Sequence, residues 1–336
     1  MLRVAVIGCG PIGNGQHCRT YAKNPNVELV GVCDINRERA EGTGKEYNVP
    51  WFLNAQEMLT QLKPDVVSVA TGGVEYGSDH YEPTMQALVA GAHVLCEKPI
   101  SNEIAPAREM VDFAKKQNLC FGVDFNHRQT PVAYAAKTWQ NQGLLGEVLF
   151  FNMALWIGKF NDDTLSLNYH LKALNPHSMD MIRHYCGDAE VIQMFANKAP
   201  GRVIWSTASW NMRMKSGVVG HLTSSYDIKR GHPMERCEIS GTQGRMLIED
   251  MWREATLFPA DTMEKRVVTN PVFDGYEGFD DTFSARINKF VEQVAAGAKP
   301  EDIDGSGYDG LQAQRMIAAG ILSLNENNRP VYVEEI

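Results

Sequence analysis

The sequence predicts an α/β chain of two domains, with a doubly wound parallel sheet over residues 1–124 and an α+β domain with a mainly antiparallel sheet over residues 125–336. Two patterns predict it. The first third alternates short apolar runs with helical stretches, as strands covered on both faces by crossover helices do. Beyond Asp124 the β-type runs lengthen and turn residues separate them, as in hairpin-connected strands. The length of 336 residues suits two domains, and 44% hydrophobic with 22% charged residues is ordinary for a globular chain.

The elements follow in order. Leu2 to Ile7 reads as a strand, Ile12 to Lys23 as a helix and Val27 to Cys33 as a second strand. Arg37 to Tyr47 reads as a helix weakened by Gly42 and Gly44. Asn54 is placed to cap a helix, with Glu57 at the capping-box position. Strands are expected at Asp65 to Ala70, His93 to Cys96 and Leu119 to Val123, with helices at Thr84 to Ala90 and Ala105 to Gln117 between them. In the second half, Thr130-Pro131 opens a short helix with proline at its favoured first position. Longer strands are expected at Glu147 to Trp156, Ala189 to Ala196, Ile204 to Met212, Val218 to Tyr226, Arg236 to Ser240 and Arg245 to Glu249. Helices are expected near His177 to Cys186, Asp281 to Ala296 and Gly310 to Leu324.

Bulk properties narrow the function. A net charge of −9 without a basic run disfavours nucleic acid and anionic membranes and favours a small substrate. The seven cysteines are scattered and form no CxxC pair, which points to a reducing compartment. The amino terminus enters a strand directly, with no leader signature, and no apolar run reaches membrane-spanning length. A cytoplasmic location is expected.

Gly8-Cys9-Gly10-Pro11-Ile12-Gly13 is a GxGxxG run between a strand and a helix. The first glycine permits the tight turn, the second lets backbone approach a pyrophosphate, and the third lets helix and strand pack closely. Asp34 ends the next strand 21 residues after Gly13, where a carboxylate holds the adenosine ribose hydroxyls. This combination predicts a Rossmann domain that binds NAD. A carboxylate at that point repels a 2′-phosphate, so NADP is disfavoured. Arg37 stands close enough in sequence to soften that preference, or else is a solvated helix start.

Three further stretches carry a family resemblance: Ala90-Gly91-Ala92-His93-Val94-Leu95-Cys96-Glu97-Lys98-Pro99, then Asn126-His127-Arg128, then His177-Ser178-Met179-Asp180. With the glycine turn they resemble the Gfo/Idh/MocA oxidoreductases, nearly end to end. The resemblance implies a catalytic lysine, Lys98, and a catalytic histidine, His177. It implies cofactor contacts at Thr71, His80 and Glu97 beside the glycine turn, and substrate contacts at Lys98, Arg128, Trp156, His177, Asp180 and His232. It also implies an open-faced second sheet that builds homodimers or homotetramers.

The chemistry fits these residue types. Oxidising a secondary alcohol sends a hydride to the nicotinamide and a proton to a base whose pKa lies near the operating pH, a role natural to His177. Lys98 would stabilise the developing alkoxide. Glu97 and Asp180 would orient or tune these groups.

Two departures stand out. The family's aspartate four residues before the histidine is Ala173 here, so the imidazole lacks its usual carboxylate unless Asn175 or another residue substitutes. The loop after Ala70-Thr71 is unusual, Gly72-Gly73-Val74-Glu75-Tyr76-Gly77-Ser78-Asp79-His80, and puts Glu75 and Tyr76 either at the nicotinamide side or in a plain surface loop. Trp156 is open between stacking on a sugar and core packing, and His232 between a substrate contact and a solvated turn. His170, His177 and His184 recur every seven residues and with Asp180 imitate a metal cluster, but no metal is expected.

The expected activity is hydride transfer between NAD and a secondary alcohol of a sugar, sugar acid or cyclitol. Redox-neutral use of NAD, through a transient keto-sugar that undergoes elimination or glycoside cleavage, is a second reading. A non-catalytic NAD-binding regulator is a third.

Overall fold

The computed structural model describes residues 1–72, 80–159, 162–228, 235–251, 253–270 and 278–336, with backbone only at 279. The chain divides into two compact units: Met1–Asn126 with Asp280–Leu311, and His127–Phe279 with Gln312–Ile336. Glu75, Tyr76 and His232 lie outside the described residues.

The first unit holds six parallel strands: β1 (Leu2–Ile7), β2 (Val27–Cys33), β3 (Trp51–Phe52), β4 (Val66–Val69), β5 (His93–Cys96) and β6 (Phe121–Val123). Their order is β3-β2-β1-β4-β5-β6. The order reverses between β1 and β4, and in such sheets ligands sit outside the carboxyl ends of the strands at that point. All four residues of β4 are buried, as expected of a strand covered on both faces. The crossovers are α1 (Arg19–Lys23), α2 (Arg37–Tyr47), α3 (Ala55–Leu62), α4 (Tyr81–Val89) and α5 (Ile104–Lys116). Asn54 caps α3 as expected, accepting from the Glu57 backbone N–H at 2.9 Å.

Residues 280–311 pack into this first unit, not into the second as the sequence suggested. Most of this segment is one helix, α9 (Phe279–Ala295). Its Phe283, Ile287, Phe290, Val291 and Val294 join Val4, Val6, Tyr21, Val66 and Leu95 in one apolar cluster. Arg286, fully buried, donates through Nε and Nη2 to the Val123 carbonyl at 3.1 and 2.9 Å, and through Nη2 to that of Gly305 at 3.1 Å. Gly122 makes room: a Cβ there would stand 2.8 Å from Arg286 and 2.9 Å from Phe290. Helical periodicity tells that α9 has an apolar face, but not which sheet receives it.

Among the described residues the second unit is built on nine strands. They are β7 (Val148–Trp156), β8 (Ala189–Asn197), β9 (Thr207–Met214), β10 (Val219–Ser225), β11 (Glu235–Gly241), β12 (Gly244–Asp250), β13 (Glu254–Pro259), β14 (Arg266–Thr269) and β15 (Val331–Tyr332), in the order β14-β13-β12-β11-β7-β10-β9-β8-β15. Every pairing is antiparallel except β7 with β10. Phe151, Met153 and Leu155 of β7 are buried, while the alternate residues Asn152, Ala154 and Trp156 are only half-buried. Helices α6 (Pro131–Asn141) and α8 (Asn175–Cys186) pack on this sheet, α8 against β7 and α6 against β12, β13 and β14. The short α7 (Tyr169–Ala173) precedes α8. The last helix, α10 (Gly307–Asn325), passes from the first unit into the second at Gln312. The opposite sheet face is open and carries exposed Phe150, Phe195 and Val219, of which Phe150 on β7 and Val219 on β10 are register partners.

Candidate active site

The glycine turn leaves β1 and enters a helical turn at Pro11 that is π-helical over Gly13–Cys18 before α1 begins. The three glycines differ physically. Gly8 has φ +100°, and a Cβ on it would lie 2.4 Å from the Ala70 carbonyl oxygen. A Cβ on Gly13 would lie 1.8 Å from the Gly8 carbonyl oxygen. At Gly10 a Cβ would meet nothing within 4 Å. Folding therefore requires Gly8 and Gly13, whereas the open space at Gly10 fits the close approach of a pyrophosphate. Pro11 and Ile12 are exposed at the start of the helical turn.

Asp34 sits at the mouth of this turn. Its Oδ2 accepts from the Cys9 backbone N–H and its Oδ1 from that of Asn36, both at 2.8 Å. Each oxygen has a second lone pair with which to accept a ribose hydroxyl. The residues present thus fit the adenosine half of NAD. Arg37 is exposed and stacks its guanidinium 5.3 Å from the Trp51 ring centroid. Burial pushes the Cys9 thiol up to about 12, with the Asp34 charge adding to it, so this cysteine is not a reactive thiol.

Beyond β4 and β5, His80 joins two loops, with Nδ1 2.7 Å from the Pro99 carbonyl oxygen and Nε2 3.3 Å from that of Thr71. Glu97 and the half-buried Lys98 follow β5. Glu97 belongs to a buried cluster that the sequence did not reveal. His17, carried inward by the π-helical turn, has Nε2 3.2 Å from Glu97 Oε1 and 3.6 Å from Asp124 Oδ2, and Nδ1 3.0 Å from Ser68 Oγ. Ser68 in turn is 2.6 Å from the Tyr21 hydroxyl. Burial raises Glu97, but the hydrogen bond and charge of His17, with Lys98, outweigh it and hold this carboxyl below its ordinary range. Burial and then the Glu97 charge push Asp124 up to about 7. The donor atoms of His17, Glu97 and Asp124 lie within 4.8 Å of one another, close enough for a metal ion, and His17 Nε2 is already within hydrogen-bond distance of Glu97.

The second unit brings together three of the expected residues, Arg128, His177 and Asp180, and adds His127 and Glu235. Arg128 and His127 lie on a 3-10 turn, Asn126–Gln129. Arg128 grips Asp180 of α8 with both arms, Nε to Oδ2 at 2.7 Å and Nη2 to Oδ1 at 2.5 Å, and both side chains are buried. The His127 ring stacks on that of His177 with centroids 4.1 Å apart and planes 7° from parallel. His127 Nδ1 stands 2.5 Å from Glu235 Oε2, and Glu235 Oε1 accepts from Ser178 Oγ at 3.2 Å. Glu235 is wholly buried at the start of β11.

Three other expectations resolve differently. Trp156 registers with Ser225 and is half-buried, on the row of β7 that alternates with the buried Phe151, Met153 and Leu155. Asn175 is fully buried, and among the described residues neither atom of its amide has a hydrogen-bond partner. Among the described residues His170 joins no metal-ligating cluster: its Nδ1 is 3.0 Å from the Trp205 carbonyl oxygen, its ring lies 4.5 Å from that of Tyr226, and burial pushes it down to about 4. His184 rests edge-on against Tyr185.

Known proteins resemble this chain along the same lines. Residues 2–125 match the oxidoreductase family model with an NAD-binding Rossmann fold, and residues 134–247 match the GFO/IDH/MocA C-terminal domain. D-glucoside 3-dehydrogenase of Escherichia coli is 38% identical over 44% of this chain and 41% of its own length. Myo-inositol 2-dehydrogenase of Thermotoga maritima is 26% identical over 100% of this chain and 99% of its own. The structure of levoglucosan dehydrogenase in complex with NADH and levoglucosan superposes with a TM-score of 0.86 at 22% identity, covering 100% of both chains. With family models matched on both halves, in the order the fold requires, the chain belongs to the Gfo/Idh/MocA family of oxidoreductases.

Proposed function

We propose that this chain is an NAD-dependent dehydrogenase that moves a hydride between a secondary alcohol of a sugar, sugar acid or cyclitol and the nicotinamide. The observation that carries the reading is the glycine turn with open space at Gly10 and Asp34 bound to its backbone. The relatives bearing named activities are dehydrogenases of a glucoside and of myo-inositol, which supports net hydride transfer over redox-neutral use of NAD or a regulator. When bound, the coenzyme supplies the hydride acceptor. Gly8, Gly10, Pro11, Ile12, Gly13 and Asp34 hold its adenosine and pyrophosphate, and Thr71, His80, Glu97 and Lys98 its nicotinamide side.

The protein's own part is proton handling and orientation. Lys98 donates a hydrogen bond to the reacting oxygen and stabilises its developing charge. An imidazole of the His127–His177 pair takes the hydroxyl proton. Arg128 and Asp180 clamp the elements that carry this pair. Exposed Phe150, Phe195 and Val219 on the open sheet face support a homodimer or homotetramer through that face. Among the described residues, no helix is long and apolar enough to cross a membrane, and the seven cysteines are free and buried, which supports a cytoplasmic place of work.

The test is an absorbance screen for NADH formation against sugars, sugar acids and inositols, with product analysis beside it. Stoichiometric NADH and ketone support the proposal. Substrate turnover without net NADH supports redox-neutral chemistry, and NAD binding with no turnover of any polyol supports the regulator.

A further inference from the structure

We infer that the imidazole that takes the substrate proton is His127, held by Glu235 as a carboxylate–imidazole couple, and that His177 is its stacked neighbour and a hydrogen-bond partner of the substrate. The inference rests on the dehydrogenase reading and refines it.

A base imidazole needs a fixed tautomer and a fixed ring plane, and both usually come from a second group on the far nitrogen. The carboxylate that the family resemblance implies for His177 is replaced by Ala173, whose methyl group accepts nothing. The carboxylate has reappeared on the neighbouring ring. Glu235 Oε2 lies 2.5 Å from His127 Nδ1, an ion-pair contact between two buried side chains. The carboxylate charge beside Nδ1 favours the tautomer with the proton on that nitrogen, which leaves the lone pair of the neutral ring on Nε2, the atom that accepts a proton.

Three features hold the couple in place. Ser178 Oγ donates to the other oxygen of Glu235 at 3.2 Å, so the carboxylate cannot rotate away freely. The two-armed Arg128–Asp180 pair ties the 3-10 turn bearing His127 to α8. The face-to-face contact at 4.1 Å and 7° then sets the ring plane of both histidines. The charged and titratable groups around the pair are Glu235 from β11, Arg128 from the turn and Asp180 from α8. The Tyr185 hydroxyl and the Cys237 thiol also lie within electrostatic reach of Glu235, and burial pushes both well up, so they stay neutral.

The step balances. The substrate O–H bond breaks, its proton passes to His127 Nε2, and the freed electron pair forms the C=O bond. The C–H bond breaks with its electron pair carried as hydride to NAD, so the alcohol is oxidised and the coenzyme reduced. Glu235 touches neither reactant and is a positioning residue.

The experiment compares His127→Gln, Glu235→Gln and His177→Gln by kcat and KM across pH, with NAD affinity by calorimetry to show that each variant is folded. His127→Gln is expected to lose the acid limb of the kcat profile and about 10²–10⁴ in kcat. Glu235→Gln is expected to keep a displaced limb with kcat lower by about 10–100-fold. His177→Gln is expected to raise KM with the limb in place. A limb that vanishes in His177→Gln and survives in His127→Gln overturns the inference. Should a buried variant fail to fold, nitrogen-15 spectra of the histidine-labelled wild type decide: the neutral His127 ring protonated on Nδ1 upholds the inference, and protonation on Nε2 overturns it. That readout needs no substrate. A wild type that binds NAD and oxidises no polyol refutes the dehydrogenase reading instead.

Discussion

Gly13 stands so close under Gly8 that a Cβ on it would lie 1.8 Å from the Gly8 carbonyl oxygen. Gly10, between them in sequence, borders open space. The same six-residue turn therefore separates a folding requirement from a binding requirement.

Gly13→Ala is expected to destabilise the first unit by about 1–3 kcal/mol or more through overpacking. Gly10→Ala should leave the denaturation midpoint nearly unchanged and weaken NAD. A clash of about 1–3 kcal/mol with the bound pyrophosphate corresponds to roughly 10–100-fold in Kd. Chemical denaturation and calorimetry on the two variants check the pair.

Lys98→Ala is expected to lower kcat by about 10²–10³, the usual effect of removing one donor to a developing oxyanion. NAD affinity should survive. Steady-state kinetics on whichever polyol the screen identifies, with calorimetry beside it, separates the two effects.

Asp180→Ala leaves the Arg128 guanidinium buried without its two-armed partner, and removing one member of a buried pair costs about 3–5 kcal/mol. Asp180→Asn keeps an acceptor and should cost less. Denaturant midpoints for the two variants give the comparison.

Asp124 provides a pH-dependent contribution. Burial and then the Glu97 charge push its carboxyl up to about 7, from an ordinary value of 3.8. Between those values the folded chain holds a proton that the unfolded chain releases, so this group's contribution to stability declines as pH rises from about 4 to about 7 and then levels. Asp124→Asn lacks that decline. The thermal midpoint of the variant relative to the wild type should therefore climb from pH 4 to pH 7.5, by an amount on the order of a few kcal/mol in stability. A difference that stays flat across that range contradicts the assignment.

Much of the fold was readable because local chemistry and global fold agree. β1, β2, α2 and β5 fall where their apolar runs and flanking residues put them, and Thr130 caps α6 ahead of Pro131. β3 and β15 are two residues long and leave no periodic trace, while β14 is an exposed edge strand with little apolar alternation. Of the site, the glycine turn and Asp34 were legible because a turn, a strand end and their spacing are all local. His17, Asp124 and Glu235 were not. Each is a single polar residue inside an otherwise ordinary element, and only the folded chain brings it against partners 107, 80 or 108 residues away in sequence, as His17–Asp124, His17–Glu97 and His127–Glu235 show. The empty place at Ala173 was the one local hint that a carboxylate would have to come from elsewhere.

The central claim is that the turn and Asp34 anchor NAD. Titration calorimetry of the purified chain with NAD and with NADP tests it most directly. The account predicts binding of NAD, weaker binding of NADP, and loss of NAD affinity in Asp34→Ala. No heat of binding with either coenzyme would contradict it.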